Sequence, residues 1–224
     1  MIIRSYNRQL IGAVKDRPNG RARTVARKRN EAAFAARQQE ILRAAEALFV
    51  AHGFHQTGMA AICEAAGMSP GALYRYFPSK ASIIQAIVQE ERADIAGMLE
   101  RLAGAADFRG TLVDMLVETI AAVRDQDYAR LALEIAAEGL RDGETGALLT
   151  QAHAAVHAEL AAIIAAAQDD GRIGQDADAA AAAQVLLMLV DGAIGFAGAS
   201  PAPSPAAQRR TLARVVDGLF APAG

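Results

Sequence analysis

Tryptophan is absent from this 224-residue chain, and cysteine occurs once, as Cys63. A lone cysteine cannot close an internal disulfide or build a thiolate metal cluster, and such usage fits a reducing cytosol. Aromatic residues make up 5% of the sequence, and β-branched residues are few, so the side chains that favour sheet are scarce. No segment alternates apolar and polar residues with the period of two that a half-buried strand requires. No nucleophile motif and no glycine-rich phosphate loop occurs, which argues against an all-α hydrolase or transferase. The N-terminal stretch MIIRSYNRQLIGAVKDRPNG holds no apolar run long enough for a signal peptide. The best membrane candidate, residues 179–200, is mostly Ala and Gly and carries Gln184 and Asp191. A charge at mid-span costs about 2.5–3.5 kcal/mol on insertion scales, so the segment reads as a buried interface helix and no membrane partner is expected.

What is present is alanine, and a marked asymmetry of charge. Residues 1–37 hold ten Lys/Arg, among them Arg27, Lys28 and Arg29, against two acids, whereas the remainder holds 13 against 23. A basic arm on an acidic body implies a polyanionic partner, nucleic acid or an anionic membrane. The arm, residues 1–36, lacks apolar periodicity and is expected to be flexible, with a helix beginning after Asn30.

Beyond it the helical period is plain. Ile41, Leu42, Ala45, Leu48 and Phe49 share one helical face, and Gly53 ends that helix. A short helix covers about 59–66 and stops at Gly67; Ser69 and Pro70 open the next as N-cap and first residue, and it must stop before Pro78. Ser79 caps a long fourth helix. Later starts are read at Asp107, Asp127, after Gly143, at Asp176 and at Ser204–Pro205. The fold class is therefore all-α, with about nine helices. A small domain at 37–82 precedes a larger helical body at 83–224.

Two short helices joined by AAGMS form a helix-turn-helix pattern, with Gly67 as the left-handed turn residue. Leu73 and Phe77 lie four apart and face inward with Tyr76 beside them, which leaves Tyr74 and Arg75 outside next to Pro70, Gly71 and Ala72. An exposed Tyr–Arg pair beside residues small enough to let a backbone approach suits a DNA groove.

The segment TGMAAICEAAGMSPGALYRYFPSKASII resembles the DNA-binding domain of the TetR family of bacterial transcriptional repressors. Thr57, Ile62, Ala66–Gly67, Ser69, Gly71, Leu73–Tyr74, Tyr76–Phe77 and Lys80 fall on that family's pattern. The resemblance is strong over about residues 37–90 and weaker in LALEIAAEGLRD and VLLMLVDGAIG. It implies a cytoplasmic, nucleoid-associated repressor, a palindromic double-stranded operator, a homodimer formed through the last two helices, and a small-molecule pocket in the body whose occupation shifts the connecting helix. It implies no enzyme activity and no cofactor. Gly58 replaces the usual Ser or Thr of the family, which leaves Thr57 as the phosphate-bonding hydroxyl; Cys63 replaces the usual Ala. The family's base-touching positions fall on Ala60, Pro70, Gly71 and Ala72, none with a side-chain donor or acceptor, so direct readout falls to Tyr74 and Arg75, with Tyr76 and Lys80 on phosphates. A non-specific architectural DNA binder and an activator remain as alternatives.

For the body, Met98, Leu102, Met115, Leu116, Tyr128, Leu131 and His153 are the candidate pocket residues and imply a mainly hydrophobic ligand. Val185, Leu187 and Val190 on an Ala-rich helix, with Leu212, Val216 and Leu219 on the last one, are the candidate dimer residues. His153 and His157 stand at metal-ligand spacing but lack a third ligand nearby in sequence, so no metal is expected. Glu134 and Glu138, four apart in an apolar helix, read as a solvated face or as partners of a cationic ligand, with Arg130 within pairing distance of Glu134.

Overall fold

The computed structural model describes residues 22–197 and 203–220, with side chains from residue 31. The readings placed on residues 1–21, on the side chains of Arg27, Lys28 and Arg29, and on the end of the 179–200 segment lie outside the described residues. Among the described residues there are nine helices and no strand. They are α1 (Ala22–His52), α2 (Met59–Ala65), α3 (Pro70–Leu73), α4 (Lys80–Ala103), α5 (Phe108–Val123), α6 (Gln126–Gly139), α7 (Gly143–Asp169), α8 (Ala179–Gly195) and α9 (Pro205–Phe220).

α1 starts before Asn30 and runs unbroken past residue 36, so no break marks the expected end of the arm. The physical reason is local. Its 31 residues contain neither Gly nor Pro, and strong helix formers extend an existing helix at one hydrogen bond per residue.

Side-chain caps set most of the other starts. Asp107 accepts from the Gly110 amide at 2.9 Å and Asp142 from the Thr145 amide at 2.7 Å. Ser79 and Ser82 form a reciprocal capping box. Two aspartates do not cap as expected. Asp125, rather than Asp127, opens α6 by accepting from the Asp127 and Tyr128 amides, and Asp178, rather than Asp176, opens α8 by accepting from Ala181. In each pair the later-or-earlier choice goes to the residue whose carboxylate reaches an otherwise unsatisfied amide of the first turn. Ser69 has the extended backbone of a cap but makes no side-chain cap bond, so α3 begins on Pro70 geometry alone. Gly67, with φ of 62°, supplies the left-handed turn between α2 and α3.

Two cores result. In the head, α1 to α3 and the start of α4 enclose Ile41, Phe49, Ile62, Leu73, Phe77 and Ile84. In the body, α4, α5, α7, α8 and α9 enclose Leu102, Phe108, Leu112, Leu160, Ile164 and Val216. Burial of such side chains stabilises by about 1.5–3 kcal/mol each before the entropy cost of ordering. α4 runs through both cores. The head's core also takes in Ile87, Leu131 and Ile135, beyond the boundary expected at 82/83. α7 is long and apolar enough, by length and composition, to cross a bilayer; here it packs on α4, α6 and α8 and delivers Leu160 and Ile164 to the body core.

Candidate nucleic-acid interface and ligand cavity

The inward and outward faces of α3 and the turn after it divide as their spacing requires. Leu73 and Phe77 are buried at 0% and 4% exposure, while Tyr74 is 51% exposed. Arg75, Pro70, Gly71, Gly58 and Ala60 are exposed beside it, and Ala72 is half-buried. Arg75 has no hydrogen-bond or ion-pair partner among the described residues. The surface thus presents one long guanidinium and one phenol beside Pro70, Gly71 and Ala72, with the exposed Ser69 hydroxyl at its edge. Tyr76 is half-buried and its ring stacks on Phe34 of α1 at 4.5 Å and 25°. Arg37 of α1 donates to the Ala66 carbonyl at 3.0 Å, which ties α1 to the end of α2.

Two expected phosphate contacts are internal instead. Thr57 is buried, and its hydroxyl donates to the Gly53 carbonyl at 2.8 Å and lies 3.3 Å from that of Leu48. A buried hydroxyl must find an internal partner, and Thr57 finds it in the chain just after α1. Lys80 lies half-buried over the Phe54 ring at 4.1 Å and donates to the carbonyls of Phe54 and Thr57 at 2.7 and 3.0 Å. Burial holds its ammonium below the ordinary lysine range, and the nearby Glu138 carboxylate opposes that shift. Lys80 is thus a tie inside the head.

The body contains an apolar cavity of about 320 Å³ between α4, α5, α6, α7 and α8. Tyr128, Leu131 and His153 line it as expected. Met98, Leu102 and Leu116 do not; all three are buried, Leu102 and Leu116 in the body core with Met115 packed against it. Helical spacing marks an inward face without saying which inward residues meet a void. Leu187 and Val190, read as dimer residues, are cavity walls. The polar groups in the wall include Glu91, Arg92, Tyr128 and Asp191. Tyr128 donates to Glu91 Oε1 at 2.7 Å. Burial first, then the Glu91 and Asp191 carboxylates, push the phenol far above its usual range, so it stays a neutral donor.

The dimer reading also changes. Leu212 and Val216 are 7% and 0% exposed inside the protomer, and Leu219 packs against the same core. The last helix turns Leu212 and Val216 onto α5 and the body core, while Leu219 is half-buried. α8 does present an outward stripe, with Val185, Met188 and Phe196 at 42%, 60% and 67% exposure.

The carboxylates of α6 fit neither sequence reading. Glu134 accepts a hydrogen bond from the Phe54 amide at 2.8 Å, and Glu138 lies beside Lys80 with Arg141 at 3.9 Å. Their four-residue spacing was visible, but the partner is 80 residues away in sequence. Phe34, Glu91 and Asp191 were likewise missed, since each acts through a neighbour on a different helix. The His pair is split: His153 faces the cavity, and His157 donates from Nε2 to the Ala180 carbonyl at 3.0 Å. Among the described residues no group of three or more His, Cys, Asp or Glu is placed to hold a metal.

Comparison with known proteins agrees with this architecture. Residues 41–87 match the family described as bacterial regulatory proteins, tetR family, and residues 108–221 match the BetI-type transcriptional repressor C-terminal family. The HTH-type transcriptional regulator UidR of Escherichia coli K12 is 32% identical over 183 residues, covering 80% of this chain and 91% of UidR. The structure of Salmonella enterica GusR is 32% identical, covers 83% of this chain and 95% of GusR, and superposes with a TM-score of 0.71. FadR of Bacillus subtilis, solved with stearoyl-CoA, is 19% identical over 80% of this chain and 96% of its own, with a TM-score of 0.66, and shares the fold. A helix-turn-helix head with an exposed Tyr–Arg pair, joined to a hollow helical body and matched along both parts, defines the class: the chain belongs to the TetR family and is a DNA-binding, ligand-responsive transcriptional regulator, not an enzyme.

Proposed function

We propose that this protein is a cytoplasmic, nucleoid-bound repressor that reads a palindromic operator as a homodimer and leaves it when a small molecule enters the cavity. The observation that carries the DNA reading is Arg75, exposed and without a partner among the described residues, beside Tyr74 on a surface of Pro70, Gly71 and Ala72. Arg in the major groove pairs bidentately with guanine, and a Tyr hydroxyl reaches phosphate while its ring packs on sugar or a thymine methyl. Two heads on a two-fold axis require a palindrome with half-sites about one helical turn, or a multiple, apart. The outward stripe of α8 supplies the partner surface.

The cavity's chemistry defines the effector. Its volume of about 320 Å³ is at the small end for ligand sites. Its walls, among them Ile95, Val123, Leu149 and Val156, take an apolar body. Glu91, Tyr128 and Asp191 take an end that donates hydrogen bonds. The relative solved with stearoyl-CoA carries an acyl ligand in the same fold.

Selection of duplexes from random DNA, followed by footprinting, tests this reading. A two-fold symmetric consensus supports it; equal affinity for random and selected DNA at fixed salt supports non-specific architectural binding instead. Arg75→Ala should weaken the selected site by about 1–3 kcal/mol and relax one base preference in each half-site. Titration against single-base operator variants checks this, and an unchanged preference removes Arg75 from readout. The arm is proposed to follow the DNA backbone beyond each half-site. Deleting residues 1–29 should then weaken binding and flatten the plot of log affinity against log salt, whereas an identical slope shows an arm without phosphate contacts.

A further inference from the structure

The wall of the cavity and the core of the head share side chains. Ile87, Leu131 and Ile135 line the cavity and belong to the head core. α6 carries two of them, four residues apart, and its Glu134 and Glu138 reach the head from an adjacent face of the helix.

The target of Glu134 is the turn at residues 53–57, which joins α1 to α2. Its Oε2 accepts from the Phe54 amide at 2.8 Å. Gly53 permits that approach. Its φ is 79°, and a Cβ there would stand 3.2 Å from the same oxygen. From the other side Lys80, the first residue of α4, donates to the carbonyls of Phe54 and Thr57. The Thr57 hydroxyl closes the turn onto the Gly53 carbonyl. One turn of the head is thus held by the first residue of the connecting helix and by a carboxylate from the cavity wall.

We infer that Glu134 is a positioning residue of the reading head: its bond to the Phe54 amide carries a displacement of α6 at the cavity wall to the turn that sets α2 and α3 against α1. The inference rests on the cavity being the regulatory site. It differs from a shift of α4 alone, because the signal passes through a second helix that contacts the head directly. An occupant that spreads Leu131 and Ile135 moves α6, and Glu134 moves with it.

The experiment uses a side chain in place of the unidentified effector. Ala132 lies on α6 and lines the cavity, so Ala132→Leu adds volume there. Affinity is measured for the duplex selected from random DNA, with melting and mass measurements alongside. In the otherwise natural chain Ala132→Leu should weaken binding about ten-fold, within the usual range of allosteric coupling. In Glu134→Ala the same substitution should change affinity less than about two-fold, because the sites no longer couple. Glu134→Gln, which keeps an acceptor oxygen, should restore the ten-fold response; a purely structural role would not produce this split. An equal loss in the natural and Glu134→Ala backgrounds overturns the inference. Should Glu134→Ala fail to fold, hydrogen exchange at the Phe54 amide decides in its place: faster exchange in Ala132→Leu than in the natural chain supports the link, and unchanged exchange overturns it. If Ala132→Leu leaves DNA binding unaltered in the natural chain, the cavity reading itself falls and the inference falls with it.

Discussion

Val216→Glu should remove the folded protein, whereas Met188→Glu should leave a folded monomer that no longer holds its operator. Both residues lie on the two helices expected to form the dimer, and only their surroundings separate them. Val216 is 0% exposed in the core that also contains Phe108 and Phe220. A carboxylate there is either buried without a partner or protonated against its preference, at a cost of several kcal/mol. The total stability of a domain is about 5–15 kcal/mol, so one such change consumes much of it. Met188 is 60% exposed between Val185 and Phe196. Glutamate at that position would be hydrated in the monomer and stranded in the proposed α8 interface. Loss of the second head removes the gain from linked binding, about 10²- to 10⁴-fold in affinity. Thermal melting, sedimentation and operator titration of the two variants separate the outcomes. A folded monomeric Val216→Glu contradicts the core assignment; a dimeric Met188→Glu with full affinity moves the interface off α8.

Lys80→Met should lower stability and leave the salt dependence of DNA binding unchanged. The ammonium bonds two carbonyls and lies over the Phe54 ring, while methionine keeps the apolar stem and removes the donors. Hydrogen bonds to charged groups contribute about 1.5–3 kcal/mol, and in a chain of this length each kcal/mol moves the melting temperature by about 2–4 °C. A lysine on phosphate would behave in the opposite way. Its loss would spare the melting temperature and reduce the salt slope by about one unit. Melting curves and a salt titration on the same variant decide between a tie inside the head and a contact to DNA.

Several features were legible before any coordinates, and each is local. The helical class follows from an alanine-rich composition with few β-branched or aromatic residues. Gly67, Pro70 and Ser79 mark chain turns because turn and cap geometry involves neighbours within about four residues. The outward pair Tyr74–Arg75 follows from the position of Leu73 and Phe77 on a 3.6-residue period, and the structure exposes the pair as that period requires. The family pattern is legible for the same reason, since it is a string of such local requirements.

Tertiary structure decided what depends on residues distant in the chain. Period and hydrophobicity identify Leu187, Val190, Leu212 and Val216 as apolar positions on helix faces, but only packing assigns the first pair to a cavity and the second to a core. Thr57 and Lys80 match the family pattern, yet their hydrogen-bond partners are carbonyls of the turn that follows α1, so their polar atoms point inward. Glu134 looked like a surface charge until α6 was laid against residue 54, because a carboxylate's role is set by the nearest unsatisfied donor, and that donor comes from another helix. Sequence determines which faces must be buried or capped; the packing of one helix on another determines what each face meets, because hydrogen bonds and voids form between surfaces that only the folded chain brings together.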